Sequence, residues 1–508
     1  MLAGMKTRVG FLSVAVMVVL AGSVASRGAA EAANGQAARP NILFALADDM
    51  GHASAYGTKW VKTPNFDRLA QRGILFQNAY TPNAKCSPSR ASILTGRNPW
   101  QNGEAGNHWP YYPAKLKSWM EVLGDSGYFV GFTGKGWGPG TLPPERQHIT
   151  GKAYQRRKLQ PPTSGIHFRD YFANFKDFLK ERPAGTPFCF WYGGYEPHRP
   201  YQYASGVEEG QYQLKDAEPV PAYWPDTNSV RNDMLDYAFE IAHFDRQLGK
   251  MVDLLAERGL LSNTLVVVTG DNGPPFPRMK GHPYEAACHL PLAVMWPQGI
   301  AAPGRKADAL VSFIDFAPTF LELAGVDGVK AGMQPMTGVS LTDIFANRPS
   351  GPDRSALLMG RERNDTRIRP GTESGLGYPV RAIREGDFFY LRNFEPDRWP
   401  CGNPELGLMD SDNGPTKTAV EATGESSRDW QWCFGKRPAE ELYNLKMDAD
   451  CVKNLAADPA YQKQMEALRE KLLARLKQQG DPRMEGNGGV FDHYPTPRPA
   501  RQDAEIRK

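Results

Sequence analysis

Cysteine is scarce in this sequence, six among 508 residues. A chain that long can bury a core that stands without crosslinks, so a disulfide-stapled scaffold is excluded. Net charge is scarce as well: 60 Lys and Arg against 56 Asp and Glu leave +4. That balance lacks the basic excess of a dedicated nucleic-acid binder, and we expect no nucleic-acid partner. Disorder is excluded by 41% hydrophobic and 11% aromatic residues, enough to offset the entropy of ordering. Long apolar runs are missing beyond the N-terminus, and no internal repeat is visible. The one apolar run, Gly10–Leu20, follows Lys6 and Arg8 and precedes Ser23-Val24-Ala25. Charged, then apolar, then small is the order of an export signal. The run is short for a membrane span, and no cysteine follows it to accept a lipid. We therefore expect residues 1–30 to be a signal peptide, an uncleaved anchor being the alternative. The mature protein would be periplasmic or secreted and free of the membrane.

The chain is rich in Pro (42) and Gly (51), which predicts long, shaped loops on a rigid scaffold. From residue 40 to about 365, short apolar runs alternate with helical patterns, as in an α/β fold with a mainly parallel sheet. Asn41–Ala47, Tyr128–Thr133, Pro187–Tyr192, Leu265–Thr269 and Leu292–Trp296 read as strands, rich in β-branched and aromatic residues. Thr63-Pro64 reads as a helix start running to Arg72. Met234, Ala238, Ile241, Leu248, Val252 and Leu255 recur at helical spacing, and Gly259 supplies a stop. Beyond about residue 370 the texture changes. Val380–Arg384 and Phe388–Arg392 read as a hairpin around Glu385-Gly386-Asp387. Gly407–Arg428 reads as a polar loop, and Tyr461–Leu476 as an amphipathic helix. We expect a catalytic domain over 40–370, a smaller α+β subdomain with an antiparallel sheet over 371–490, and a tail over 491–508. That tail either wraps back or is disordered.

Polar pairs fall at strand C-terminal ends, where open α/β sheets place their ligands. Asp48-Asp49 follows one apolar strand and Asp271-Asn272 another. Facing each other, they would offer hard oxygen ligands to Ca²⁺ or Mg²⁺. Taken singly, each is as readily a helix cap or turn. The decisive segment is Cys86-Ser87-Pro88-Ser89-Arg90 with Leu94-Thr95-Gly96-Arg97 downstream. This run resembles the C-x-P-S-R and L-T-G-R signature of the type I sulfatases of the alkaline phosphatase superfamily, and the likeness extends over essentially the whole mature chain.

The resemblance implies an alkaline-phosphatase-like α/β fold and a sulfohydrolase. It implies that Cys86 is oxidised to formylglycine by a dedicated maturation enzyme, the hydrated aldehyde furnishing the nucleophile. Asp48, Asp49, Asp271 and Asn272, together with the group at Cys86, match the ligands of one divalent cation, normally calcium. Arg90 matches the residue that holds the formylglycine, Lys135 and Lys280 the lysines on the sulfuryl oxygens, and His198 a histidine on the sulfate or leaving group. Such charges suit a sulfuryl group, which spreads negative charge over its oxygens. One position departs from the pattern. Where the family shows G-K-x-H, this chain has Gly134-Lys135-Gly136-Trp137. The segment is no ATP loop either, since the glycine needed five residues earlier is Phe129. His108 is the substitute we expect for the missing histidine, or else a substrate contact. Of the other histidines, His282 could line the pocket or carry no role, His289 reads as a packed core residue, and His52 could lie behind the metal pair. His148, His167, His243 and His493 carry no expected role.

If Cys86 carries chemistry, five cysteines remain and one must stay unpaired. Cys401 with Cys433 is the bridge we expect first. Asp271–Arg278, Tyr378–Arg381 and Glu441–Asn444 look similar to the sulfamidase (heparan N-sulfatase) branch, which implies N-sulfated glucosamine as substrate. An O-sulfatase on another sulfated polysaccharide, including algal ones, is the alternative. A phosphonate or phosphate ester hydrolase and a non-catalytic glycan binder stand further off. Arg361, Glu362, Arg363, Arg381 and the segment Arg392–Trp399 could reach the pocket rim and hold sulfate or uronate. A solvated charged face or an interdomain ion pair explains them equally.

Overall fold

The computed structural model describes residues 39–348 and 350–498; the expected export signal lies outside them. The strand β1 (Asn41–Ala47) is buried at every position, as its unbroken apolar run requires of a strand covered on both faces. Around it form β2 (Ile74–Tyr80), β3 (Phe129–Gly134), β4 (Lys152–Ala153), β5 (Phe188–Gly194), β6 (Thr264–Gly270), β7 (Leu292–Met295) and β8 (Arg305–Ser312). They make one eight-stranded sheet in the order β4-β3-β5-β1-β6-β7-β2-β8. Only β7 runs against its neighbours β6 and β2. Helices cover the sheet, among them Asn228–Glu257, capped by the Thr227 side chain, which accepts from the Val230 amide. Gly259, at φ 66°, ends that helix where the spacing predicted.

Parallel register decides where the chemistry sits. Ala47 lies level with Gly194 of β5 and Gly270 of β6, and Gly134 of β3 lies level with Gly193. Asp48, Lys135, the Tyr195–His198 turn and Asp271 therefore leave the sheet side by side. The strand ends are pressed together: the Lys135 amide donates to the Gly193 carbonyl at 2.8 Å, and the Asp271 amide to that of Ala47 at 3.0 Å. A Cβ at Gly193 would lie 1.8 Å from the Lys135 carbonyl oxygen, so only glycine permits this approach.

The second sheet is antiparallel, in the order β12-β11-β10-β9. It joins β9 (Ala356–Arg361), β10 (Val380–Glu385), β11 (Phe388–Asn393) and β12 (Glu440–Asn444). The expected hairpin is β10–β11, with Ala382 opposite Leu391. Strand β9 comes from before residue 370, so the chain enters this sheet earlier than the change in texture suggests. The helix Gln462–Gln478 buries Met465, Leu468, Leu472 and Leu476, in one apolar cluster with Ile383 and Tyr390 of the sheet.

Two expectations are corrected. The polar stretch from Gly407 contains a helix, Pro415–Ala422, with Pro at its first position. Its polar residues are spent internally. The Thr416 hydroxyl donates to Asp233 at 2.7 Å, and buried Lys417 donates to the carbonyls of Gly407, Leu408 and Ser411. Cys401 and Cys433 are not bridged; both thiols are free and buried. Each sits against another group, Cys401 at 3.1 Å from His282 Nε2 and Cys433 at 3.3 Å from the Tyr223 carbonyl. After Gly480 the chain wraps back, burying Phe491 completely beside Trp100 and Leu358. Among the described residues no helix is long and apolar enough to cross a membrane.

Candidate active site

The helix Cys86–Thr95 begins straight after extended Lys85 and is buried throughout. Pro88 is tolerated because the first turn has no intrahelical amide bonds to lose. The helix points its first turn at the edge where the strands end. There Ser89 Oγ donates to the Asp271 carbonyl at 2.5 Å. Arg90, fully buried, ties three strand ends together. Its Nε lies 2.6 Å from Asp271 Oδ2, its Nη1 bonds the Lys135 and Gly136 carbonyls at 3.0 and 2.8 Å, and its Nη2 reaches Asp48 Oδ1 at 3.4 Å.

Around Cys86 lie the other residues named from the sequence. Its Sγ is 3.9 Å from Asp49 Oδ1. Lys135 Nζ lies 2.6 Å from Asp48 Oδ2, and Lys280 Nζ lies 2.7 Å from Asp49 Oδ2. His198 Nε2 is 3.9 Å from Asp49 Oδ2. Its Nδ1 is 2.7 Å from the Arg199 carbonyl; a carbonyl only accepts, so Nδ1 carries the proton and Nε2 is left for the pocket. Asp49 itself adopts φ 71°, a left-handed conformation that a non-glycine residue holds at some cost in strain.

Burial raises the Asp48 carboxyl, but Lys135 and then Arg90 hold it well below the usual carboxylate range. Asp271 is raised to about 6 by burial, with Arg90 opposing. Lys135 and Lys280 lose by burial and gain more from Asp48 and from Asp412 and Asp49, so both are raised and remain charged. The Cys86 thiol is pushed up by burial and then by Asp48.

Oxygens of Asp48, Asp49 and Asp271 lie within 4.8 Å of one another. Asn272 Nδ2 donates to Asp49 Oδ1 at 2.7 Å, while its buried Oδ1 has no partner among the described residues. Three buried carboxylates and an orphaned amide oxygen form a hard-oxygen donor set that fits a divalent cation.

Asp48, Cys86, Lys135, His198 and Lys280 form the floor of a cavity of about 890 Å³, whose walls include Lys85, His108, Trp109, Thr163–Phe168, Asp365, Asp412 and Arg498. Lys85, Asp365, Asp412 and Arg498 are charged wall residues that went unnoticed in the sequence. Lys85 adjoins Cys86 and pairs with buried Asp410 at 3.4 Å, so adjacency was its only signal. Asp412, 3.0 Å from Lys280 Nζ, lies in the stretch read as a loop. Asp365 and Arg498 carried no signal at all.

His108 does line the cavity. Its Nδ1 stands 3.6 Å from Asp365 Oδ1, and burial pushes its pKa down to about 4. Trp137 braces the motif helix from outside that cavity: Nε1 donates to the Ser87 carbonyl at 3.2 Å, and the ring meets Tyr112 edge-on at 4.8 Å. His282 does not line the cavity; it is buried against Cys401. His52 sits edge-on to Trp60 at 4.9 Å and near Tyr237, whose hydroxyl donates to the Asp49 carbonyl at 2.9 Å. His289 stacks on Tyr80 at 4.6 Å and bonds Glu285, a structural role.

The expected rim residues are structural too. Arg361 pairs with buried Asp410 at 2.7 Å. Glu362 is clasped by Arg381 and Arg483. Arg363 donates to the Tyr494 carbonyl at 2.8 Å, and Arg381 also takes Asp481 at 2.7 Å. Arg398 holds Asp492 at 3.0 Å, and Trp399 packs edge-on against Trp430. The ion-pair explanation holds: these charges are taken up by Asp410, by the Glu362–Arg381–Asp481–Arg483 group and by the C-terminal segment, and none lines the cavity.

Comparison with known proteins agrees with this geometry. The chain is 29% identical to an ulvan-active sulfatase of Formosa agariphila over 87% of its length and 76% of the relative's. It is 28% identical to human N-sulphoglucosamine sulphohydrolase over 91% of this chain and 94% of that one. Among solved structures, a protein in complex with its substrate D-glucosamine-2-N,6-O-disulfate superposes with a TM-score of 0.59 at 21% identity, covering 87% of this chain and 98% of that one. A family model described as sulfatase matches residues 40–326, the span that carries β1, the Cys86 helix and the Lys280 loop. The chain belongs to the sulfatase family.

Proposed function

We propose that this protein removes sulfate from a sulfated saccharide, with Cys86 converted to formylglycine by a maturation enzyme and one Ca²⁺ held by Asp48, Asp49, Asp271 and Asn272 beside the group at Cys86. The observation that carries the reading is the convergence of Cys86, Arg90, Lys135, His198 and Lys280 on one carboxylate cluster at the floor of a cavity. When present, the hydrated formylglycine supplies an oxygen nucleophile and the cation supplies positive charge beside it. The chain's own residues do the rest. Arg90 fixes the strand ends and adds charge beneath the reacting group. Lys135 and Lys280, charged and buried, hold the sulfuryl oxygens as negative charge develops. His198 Nε2 serves the leaving atom, its ring held by the Nδ1 bond to Arg199. His108, neutral at pH 7, is the proton acceptor in place of the histidine that Trp137 replaces. Asp365 stands beside its Nδ1 to favour the protonated ring.

The substrate class we favour is N-sulfated glucosamine, supported by the 28% identity to the human sulphohydrolase across nearly all of both chains. A sulfate ester of an algal polysaccharide is the second reading, supported by the 29% identity to the ulvan-active enzyme. The N-terminal pattern supports a periplasmic or secreted location. We retain 40–370 as the catalytic part and 371–490 as the smaller part, except that β9 (Ala356–Arg361) joins the smaller part's sheet. The test is free sulfate from N-sulfated glucosamine and from its 6-O-sulfated isomer, with Cys86→Ala as control and peptide mass to find formylglycine. Release from the N-sulfated sugar alone, lost in the control, is expected. Release from neither by enzyme carrying formylglycine would sink the glucosamine assignment.

A further inference from the structure

The C-terminal segment completes the wall of the catalytic cavity, and nothing in the sequence pattern of the site foretold it. Buried Arg363 holds this segment by its carbonyls: Nη1 lies 3.4, 3.3 and 2.8 Å from those of Phe491, Asp492 and Tyr494. Asp492 accepts from the Gly377 amide at 2.7 Å and from Arg398 at 3.0 Å. Further on, Thr496 Oγ1 donates to the Trp109 carbonyl at 2.9 Å, and Arg367 donates to the Arg498 carbonyl at 2.8 Å. These bonds deliver the Arg498 side chain to the cavity, which it lines together with Trp109, His108, Asp365 and Lys85.

The guanidinium is held in one orientation. It lies 5.0 Å from the Trp109 ring centroid, and Nη1 bonds Asp365 at 3.0 Å. Trp109 adopts φ 56°, a strained conformation of the kind that collects where a site dictates the backbone. With Nη1 spent on Asp365, the Nε–Nη2 edge has no acceptor among the described residues. That edge is the one that takes a carboxylate or sulfate with two parallel bonds. The side chain is 21% exposed, so it can reach substrate without first being uncovered. A cavity of about 890 Å³ is also roomier than one sugar ring needs, near the upper end of the usual 300–1,000 Å³ or so for ligand pockets.

We propose that Arg498 is a specificity residue, borne by the C-terminal segment, which binds a second anionic group on the saccharide while Lys135 and Lys280 hold the sulfate being removed. The inference rests on the sulfohydrolase reading of the same cavity. The second group is an oxyanion: another sulfate on the same sugar, or the carboxylate of a neighbouring uronate. Asp365 keeps the arginine from collapsing onto the sulfate destined for cleavage, and Trp109 carries its flat face.

The test is sulfate release by wild type, Arg498→Ala and Arg498→Lys from three substrates. These are N-sulfated glucosamine, its N,6-O-disulfated form, and N-sulfated glucosamine linked to a uronic acid. In Arg498→Ala the preference for a doubly anionic substrate over the singly anionic one should fall about tenfold, the low end for a charge-assisted bond near solvent. The change should lie mainly in KM, with part of it restored by lysine. The arm that falls tells sulfate from carboxylate. An unchanged preference, or an equal loss of kcat on all three, would overturn the proposal, the latter marking a role through Asp365 alone. If wild type releases sulfate from none of them, the glucosamine reading fails by itself. Calorimetric binding of sulfated ulvan oligosaccharides to Cys86→Ala, with and without Arg498→Ala, then decides: a tenfold weakening supports Arg498, and equal behaviour overturns it.

Discussion

Replacing Arg381 by methionine should weaken the fold without touching the chemistry. Its guanidinium is fully buried. It spends Nε and Nη2 on Asp481 at 2.7 and 3.2 Å, Nη2 also on Glu362 at 2.6 Å, and Nη1 on the carbonyls of Arg361 and Val380. Methionine fills the stem's volume but donates nothing. Glu362 keeps Arg483, 2.9 Å away. Asp481, itself 0% exposed, loses the only cation paired with it among the described residues. An uncompensated buried carboxylate of this kind costs about 3–5 kcal/mol. Unfolding entropy of about 2.1 cal/mol/K per residue amounts to about 1 kcal/mol/K for 508 residues, so Tm should fall by about 3–5 °C. Calorimetry measures the fall. Adding Asp481→Asn should recover more than half of it, because the stranded charge is then gone. KM for the sulfated sugar at 25 °C should stay within about twofold, since the guanidinium does not line the cavity. An unchanged Tm with a raised KM would refute the reasoning and return Arg381 to the substrate.

Other outcomes follow from the same geometry. Lys280→Met should lower kcat by about 10²–10³, the usual cost of one lost donor to developing charge, in a steady-state sulfate assay; a loss confined to KM would contradict its placement on the reacting group. Stripping divalent cations with a chelator should lower Tm, because a cation present at a hundredfold over its Kd stabilises by about 2.7 kcal/mol. Added Ca²⁺ should restore Tm, and indifference to chelator would remove Asp48, Asp49 and Asp271 from the ligand set. His243 is depressed to about 3 by burial and then by Arg246 and Lys250. The unfolded chain therefore takes up the proton first, and stability is lost as pH falls from about 6.5 towards 3. His243→Gln should gain on wild type by about 1.4 kcal/mol per pH unit through that window, read from urea unfolding at pH 6 and pH 4; parallel pH curves would show that His243 is hydrated in the fold.

The strands were legible because their physics is local, and the motif because it resembles a family signature. An unbroken apolar run such as Asn41–Ala47 can only be satisfied by burial on both faces, and the order Cys86-Ser87-Pro88-Ser89-Arg90 is legible as a resemblance to the sulfatase signature. Asp48, Asp49, Asp271 and Asn272 were legible because a parallel sheet gathers strand C-termini on one edge, whatever the loops between them do. Charges in and beside the antiparallel sheet were not. Arg361, Arg363 and Arg381 have the composition of an anion-binding rim, and only packing shows that Asp410, the Tyr494 carbonyl and Asp481 already occupy them. Whether a buried arginine faces a carboxylate or a cavity depends on chain a hundred residues away, 481 against 381 in this case. The reverse holds for Asp412 and Arg498. Nothing adjacent marks them, and they enter the site because Lys417 folds a polar stretch into a helix and Arg363 draws the C-terminal segment across the cavity. Trp137 joins both lessons. The sequence alone shows that a histidine is missing there, but the indole's bond to Ser87, outside the cavity, depends on tertiary packing, as does His108's position within it.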